Sequence, residues 1–312
     1  MIIKKYFNTW ILCTGFLLAA VPAWAQDSRP FLTRDNLPDA VEYLPGPPTI
    51  DSEAFKGDLF FYHQGKSLRE TERGSLAKSD VSCNPHYFAK IYSEVMGITI
   101  DLKKTPKTYD LISRVIDTAM ESTRTAKKKH ARPRPFIEFK EDSIDPGHQS
   151  GLNPTGSFPS SHSTAGWAVA LLLVELYPQA QNEILHRGYE YGESRVIAGF
   201  HYESDVAMAR VVASATMARL HADDSFLKAI GEAKKEMKKL AKSSKRGKVN
   251  QGKADLMGLP ADDNIVGKQG GKNREPTKSS VQSSDKGKKS NEQKFADPLD
   301  NSETMDWITT IK

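Results

Sequence analysis

"PSSHSTAGWAVALLLVEL", residues 159–176, passes from a polar opening into an apolar run that starts at Ala165 and ends at Leu176. A run of about a dozen residues is short of the ~20 that a membrane span needs, and it fits a buried core helix. Pro159 suits a first turn, and Ser160 or Ser161 can cap it. The backbone N–H groups from Ser160 to His162 then point out of the helix start, an end that attracts anions and phosphate in particular. Capping accounts for the serines and the proline. It does not account for His162, because the helix dipole disfavours a protonated imidazole in the first turn.

Helical patterns surround this segment. "PHYFAKIYSEVMG" opens on Pro85 and closes on Gly97, and "PKTYDLISRVIDTAMESTRTAKK" opens on Pro106 and carries Leu111, Val115 and Ala119 at i, i+4 and i+8. Helices are also expected from Pro178 to about Ile197 and from Tyr202 to about His221. Residues 132–158, loaded with Pro, Gly and Asn, read as a loop. No run of alternating strands and no repeat is present. The expected fold is therefore all-α, a single-domain helical bundle over 49–241 preceded by an irregular arm over 26–48.

Residues 1–25 place Lys4 and Lys5 ahead of an apolar stretch and end in Ala23-Trp24-Ala25, the pattern of a secretory signal peptide. Its removal lowers the formal charge by two, from +5 to +3, a surplus too small to argue for nucleic acid. Cys13 leaves with it, so Cys83 has no intramolecular disulfide partner and the fold rests on its core. The expected location is the periplasm or the medium, with no transmembrane segment in the mature chain. From Lys242 the chain turns to Gly, Ser, Lys, Asn and Asp and reads as a disordered basic tail over 242–312. The tail is either a solvated extension or a contact for anionic surfaces. The oligomeric state is left open, a homo-oligomer included.

Two further clusters carry chemistry. In "KKKHARPRPF", Lys127 and Arg134 are held around a proline-stiffened turn, although basic residues at a helix end also simply oppose its dipole. In "SRVIAGFHYESDVAMAR", His201 and Asp205 share a face if a helix starts at about His201, with Arg195 six residues earlier. A carboxylate there fixes the imidazole tautomer and leaves the other nitrogen free to act; a surface Asp–His pair is the plainer reading. Together the clusters supply three cations, a helix N-terminus and two histidines, an inventory that suits a phosphate dianion attacked by an imidazole. The other histidines, His148 among them, show no pairing pattern.

The spacing of Lys127 to Arg134-Pro135, of Pro159-Ser160-Ser161-His162, and of Ser194-Arg195 to His201 and Asp205 is similar to the three-part signature of the phosphatidate phosphatase type 2 and vanadium haloperoxidase superfamily. With "YLPGPPTIDSEAF" and "GKSLRETERG", it resembles the bacterial class A non-specific acid phosphatases from about Tyr43 to Leu240. The resemblance implies an exported acid phosphatase acting on phosphorylated small molecules, nucleotide di- and triphosphates among them, with no cofactor, no metal and no nucleic acid required. It implies His201 as nucleophile, Asp205 as its orienting carboxylate and His162 as general acid and then base. Lys127, Arg134 and Arg195 would hold the phosphoryl oxygens with Ser160 and the N–H groups of Ser161 and His162. The chain departs from the family at Ser161, where glycine is usual. If that position needs a positive φ, or the backbone close to phosphate, a side chain hinders it. The alternatives are a vanadium haloperoxidase using the same pocket, a non-catalytic phosphate-binding protein, and a metal site built from His162, His201 and Asp205.

Overall fold

The structure is a computed structural model that describes residues 29–152 and 155–256, with side chains described as far as residue 242. The chain divides into units over 1–260 and 261–312, and the second lies outside the described residues, as does the expected signal peptide. Among the described residues there are helices and no strands. In order they are α1 (Ala40–Tyr43), α2 (Glu53–Ser67), α3 (Glu72–Ser79), α4 (Pro85–Met96), α5 (Pro106–Glu121) and α6 (Arg124–His130). They continue with α7 (Pro135–Glu138), α8 (Pro146–Leu152), α9 (Ser161–Leu176), α10 (Gln181–Ile197), α11 (Glu203–Leu220) and α12 (Asp224–Leu256). No helix among the described residues is long and apolar enough to cross a membrane.

The helix read from residues 159–176 is the axis of the fold. Packed against α5, α10 and α11, α9 buries Ala165, Ala168, Val169, Ala170, Leu172 and Leu173 completely. A helix apolar on every side is stable only when neighbours cover every side. The small residues let those neighbours come close: a Cβ on Gly166 would stand 2.3 Å from the Tyr191 ring of α10. From the other side α5 contributes the expected stripe of Leu111, Ile112, Val115, Ile116 and Ala119, all buried. Phe226, Ile230, Ala233 and Met237 of α12 complete the same core.

Four boundaries differ from the sequence reading. The helix expected to run from Pro106 through Lys128 breaks at residues 122–123. There the hydroxyls of Thr118, Ser122 and Thr123 bond back to the carbonyls of Arg114, Ala119 and Met120, competing with the helical ladder. The loop over 132–158 contains α7 and α8. The arm before residue 49 is not detached: Leu32 is buried, Phe31 packs edge-on to Phe226, and the Phe31 N–H donates to Thr118 Oγ1. Finally α12 continues to Leu256, beyond the expected domain end at Ala241 and into the segment read as tail. Lys, Ala, Gln and Leu are adequate helix formers locally, whatever the low apolar content of the segment. Residues 257–312 of that tail lie outside the described residues.

Candidate active site

The polar opening of α9 faces the turn between α10 and α11. Gly199, at φ +81°, reverses the chain after α10, and this puts Arg195 and His201 on one side of the turn. His201 precedes α11 rather than starting it. Tyr202 is the N-cap, and the Asp205 carboxylate reaches back to accept from the Tyr202 N–H at 2.9 Å. The same oxygen, Oδ2, lies 3.4 Å from His201 Nδ1. Asp205 therefore meets His201 across a capped helix start, and not on a shared helical face.

The tautomer of His201 follows from its other nitrogen. Arg134 Nη1 stands 2.9 Å from His201 Nε2, and a guanidinium can only donate, so Nε2 carries the lone pair and Nδ1 the proton. Burial, reinforced by Arg134, Lys127 and Arg195, holds this imidazole well below the ordinary histidine range, with the Ser157 carbonyl opposing. The shift favours the neutral ring, whose Nε2 lone pair is engaged by Arg134.

The three cations are desolvated and largely turned on backbone carbonyls. Lys127 Nζ bonds the Gly156 and Ser157 carbonyls at 2.8 and 3.2 Å, and Arg134 Nε bonds the Thr155 carbonyl at 3.2 Å. Burial and the neighbouring Arg195 pull the Arg134 guanidinium down to about 10. Arg195 is fully buried with Nη1 on the Asp80 carbonyl at 3.1 Å, while its Nε and Nη2 find no partner among the described residues. Buried donors without acceptors are rare, and two on one cation mark a place for an anion.

At the start of α9 the cap is Ser160, whose Oγ accepts from the Ser163 N–H at 3.2 Å. Its own N–H is spent on the Asp205 carbonyl at 3.0 Å, so of the three expected amides only those of Ser161 and His162 remain open. Pro159 stands before the helix, in a cis peptide with Phe158, rather than in the first turn. Ser161 has no left-handed backbone, and its hydroxyl lies 2.6 Å from Thr123 Oγ1. Thr123 already donates to the Met120 carbonyl, so Ser161 is the donor and its hydroxyl proton is engaged by Thr123. His162 is held well below its ordinary range, by burial first and then by Arg195, His201 and His148.

All eight residues expected from the sequence thus come together where the α6–α7 turn, the start of α9 and the α10–α11 turn meet, although the Ser161 hydroxyl and the Ser160 N–H are spent on Thr123 and the Asp205 carbonyl. Four residues that sequence reasoning missed complete the site. Arg132 bonds Asp205 Oδ1 and, through its second nitrogen, Asp58 of α2, each at 2.6 Å. Asp80 fixes α10 by accepting from Arg187 and from Ser194 Oγ. His148 of α8 lies edge-on to the His162 ring. The position of Arg132 two residues before Arg134 was a signal available in the sequence; Asp58 and Asp80 had none. With Asp205 held by Arg132 and Tyr202, and His201 by Arg134, His162, His201 and Asp205 do not converge as metal ligands.

Residues 112–225 match the PAP2 superfamily. A non-specific acid phosphatase of Providencia stuartii is 40% identical over 213 residues, covering 68% of this chain and 86% of that one. The non-specific acid phosphatase of Salmonella typhimurium is 32% identical over 222 residues, covering 71% and 89%. A crystal structure of a bacterial vanadium-dependent iodoperoxidase aligns with a TM-score of 0.42 at 18% identity, over 57% of this chain and 52% of its own.

Proposed function

The chain belongs to the PAP2 superfamily, among the bacterial non-specific acid phosphatases, and from that premise we propose that it hydrolyses phosphate monoesters through a phosphohistidine on His201. The observation that carries the reading is the buried Arg195, with two unpartnered donors beside two desolvated imidazoles. A phosphoryl group supplies the acceptors that these donors lack.

In this reading His201 Nε2 attacks phosphorus while the bond to the ester oxygen breaks, and His162 gives its proton to the departing alkoxide. Lys127, Arg134 and Arg195, the Ser160 hydroxyl and the N–H groups of Ser161 and His162 take the phosphoryl oxygens. Binding draws Arg134 and Lys127 off the Thr155–Ser157 carbonyls and frees the Nε2 lone pair. His162 then accepts a proton from water, whose oxygen attacks phosphorus, and the N–P bond breaks to release inorganic phosphate. Asp205 keeps the proton on Nδ1 throughout. Substrates include nucleotide di- and triphosphates, since the cradle grips the transferred group and not the alcohol. The leader over 1–25 exports the enzyme to the periplasm.

The test is rapid trapping of ³²P from labelled substrate by quenching in alkaline detergent. Label retained by the wild type as an acid-labile, base-stable adduct and absent in His201→Ala is the expected result. Unchanged hydrolysis by His201→Ala removes the mechanism.

A further inference from the structure

His148 belongs to none of the three motifs, yet α8 carries it into the site. Its ring lies 5.9 Å from His162 at 88° and 5.4 Å from Phe200 at 66°, wedged between the start of α9 and the turn that presents His201. The segment is anchored on both sides. The Ile144 N–H donates to the Ala198 carbonyl at 2.9 Å, the Ser143 N–H to Gln149 Oε1 at 2.8 Å, and the His148 N–H to Asp145 Oδ1 at 3.0 Å. So placed, His148 Nε2 is buried and has no hydrogen-bond partner among the described residues. A buried nitrogen left unpaired is destabilising, and it calls for an explanation in a ligand.

The charge on the ligand is already met by Lys127, Arg134 and Arg195. Burial, with the field of Arg195, holds His148 below the ordinary imidazole range, and its unpartnered Nε2 has one hydrogen bond to offer. Its neighbour decides where that bond goes. His162, on the reading above, protonates the departing oxygen, and a ring in edge contact with His162 borders the alcohol and not the phosphoryl group.

We propose that His148 is a substrate-contacting, specificity-determining residue whose Nε2 hydrogen-bonds an oxygen substituent of the leaving alcohol. The preferred esters are those of hydroxylated alcohols, polyols and nucleosides, over esters whose alcohol is apolar. The inference rests on the assignment of His162 to the leaving-group side. A site that hydrogen-bonds a substrate hydroxyl discriminates strongly against an analogue lacking it, because its own polar group is then left unpaired.

The experiment compares kcat and KM for glycerol phosphate and for phenyl phosphate in the wild type, His148→Phe and His148→Gln. The Phe variant keeps a ring against His162 and Phe200, and the Gln variant keeps a polar end near Nε2. The expected result is that His148→Phe lowers kcat/KM for glycerol phosphate at least tenfold more than for phenyl phosphate, with the added loss in KM, and that His148→Gln recovers part of the difference. Equal losses on both esters overturn the proposal, since His148 then distinguishes neither alcohol; so does a difference confined to kcat, which marks an effect through His162 on the poorer leaving group, and so does the absence of any loss. Should the Phe variant not fold, the Gln variant decides against Ala at the same position: selectivity kept by Gln and lost by Ala upholds the contact, and equal selectivity overturns it. Failure to trap a phosphohistidine removes the mechanism, whereas the ratio of the two esters tests His148 whatever the nucleophile.

Discussion

Arg132 holds Asp205 from behind: Nη1 donates to Asp205 Oδ1 at 2.6 Å, and the other terminal nitrogen donates to Asp58 Oδ2 at the same distance. All three side chains are buried, and the Ser204 hydroxyl also donates to Asp58. A carboxylate so clamped has one oxygen left to turn toward His201. Removing Arg132 would leave two buried carboxylates unpaired.

Arg132→Met is therefore expected to cost about 3–5 kcal/mol of stability, the usual result of breaking a buried pair from one side. Arg132→Lys keeps a positive charge but cannot reach both carboxylates in a planar fork. It should fold, with kcat reduced by about tenfold and KM changed by less than about twofold, because Asp205 orients the attacking ring and not the bound phosphate. Urea denaturation and steady-state kinetics check the two parts. A Lys variant with wild-type kcat would show that Arg132 serves only the fold.

Ser161→Gly is expected to leave turnover within about threefold of wild type. The position lies in the first turn of α9 with an ordinary negative φ, so glycine relieves no strain, and the hydroxyl is hydrogen-bonded to Thr123. What glycine removes is one hydrogen bond between the α5–α6 junction and the start of α9, worth about 0.5–1.5 kcal/mol. A thermal melt reads that loss. A strong rise in turnover would mean that the side chain obstructs phosphate after all.

The pH dependence follows from the two imidazoles. His162 must carry a proton to serve the leaving group, and its proton is held less tightly than at the ordinary 6.5, so activity falls as pH rises through that lowered value. His201 must be neutral, and its depressed affinity for protons keeps it so on the acid side of 6.5, until pH falls through its own lowered value. The profile of kcat/KM, which reports the free enzyme, should accordingly peak below pH 6.5. An optimum above pH 8 would exclude His162 as the acid.

How much of this could be read beforehand depends on the range of each interaction. The core position of α9 was legible because a dozen apolar residues in one run leave few other solutions, and the cap at Ser160 because its signal lies within four residues. The cations and histidines were legible as three short clusters at fixed offsets. The clamp on Asp205 was not, since Asp58 is 74 residues from Arg132 and no local pattern marks it as buried. The edge contact of His148 with His162 likewise depends on how the loop over 132–158 folds into α7 and α8. The break at 122–123 is local, but it results from competing hydrogen bonds that periodicity does not register.

The remaining prediction concerns the last helix. Thr105, at the N-cap of α5, makes no capping bond, because its hydroxyl is engaged with the Asp101 backbone. The cap comes from α12 instead: Glu236 accepts from the Lys107 N–H at 3.2 Å and from the Thr108 N–H and hydroxyl at 2.8 and 2.7 Å. A carboxylate at a helix N-terminus satisfies orphan donors and opposes the dipole, so Glu236→Ala should cost about 1–2 kcal/mol. Glu236 lies on the α5–α12 contact and outside the site, so kcat and KM should not move. Denaturation midpoints measured beside steady-state rates check both halves. An unchanged midpoint would mean that α12 is held by Phe226, Ile230 and Met237 alone.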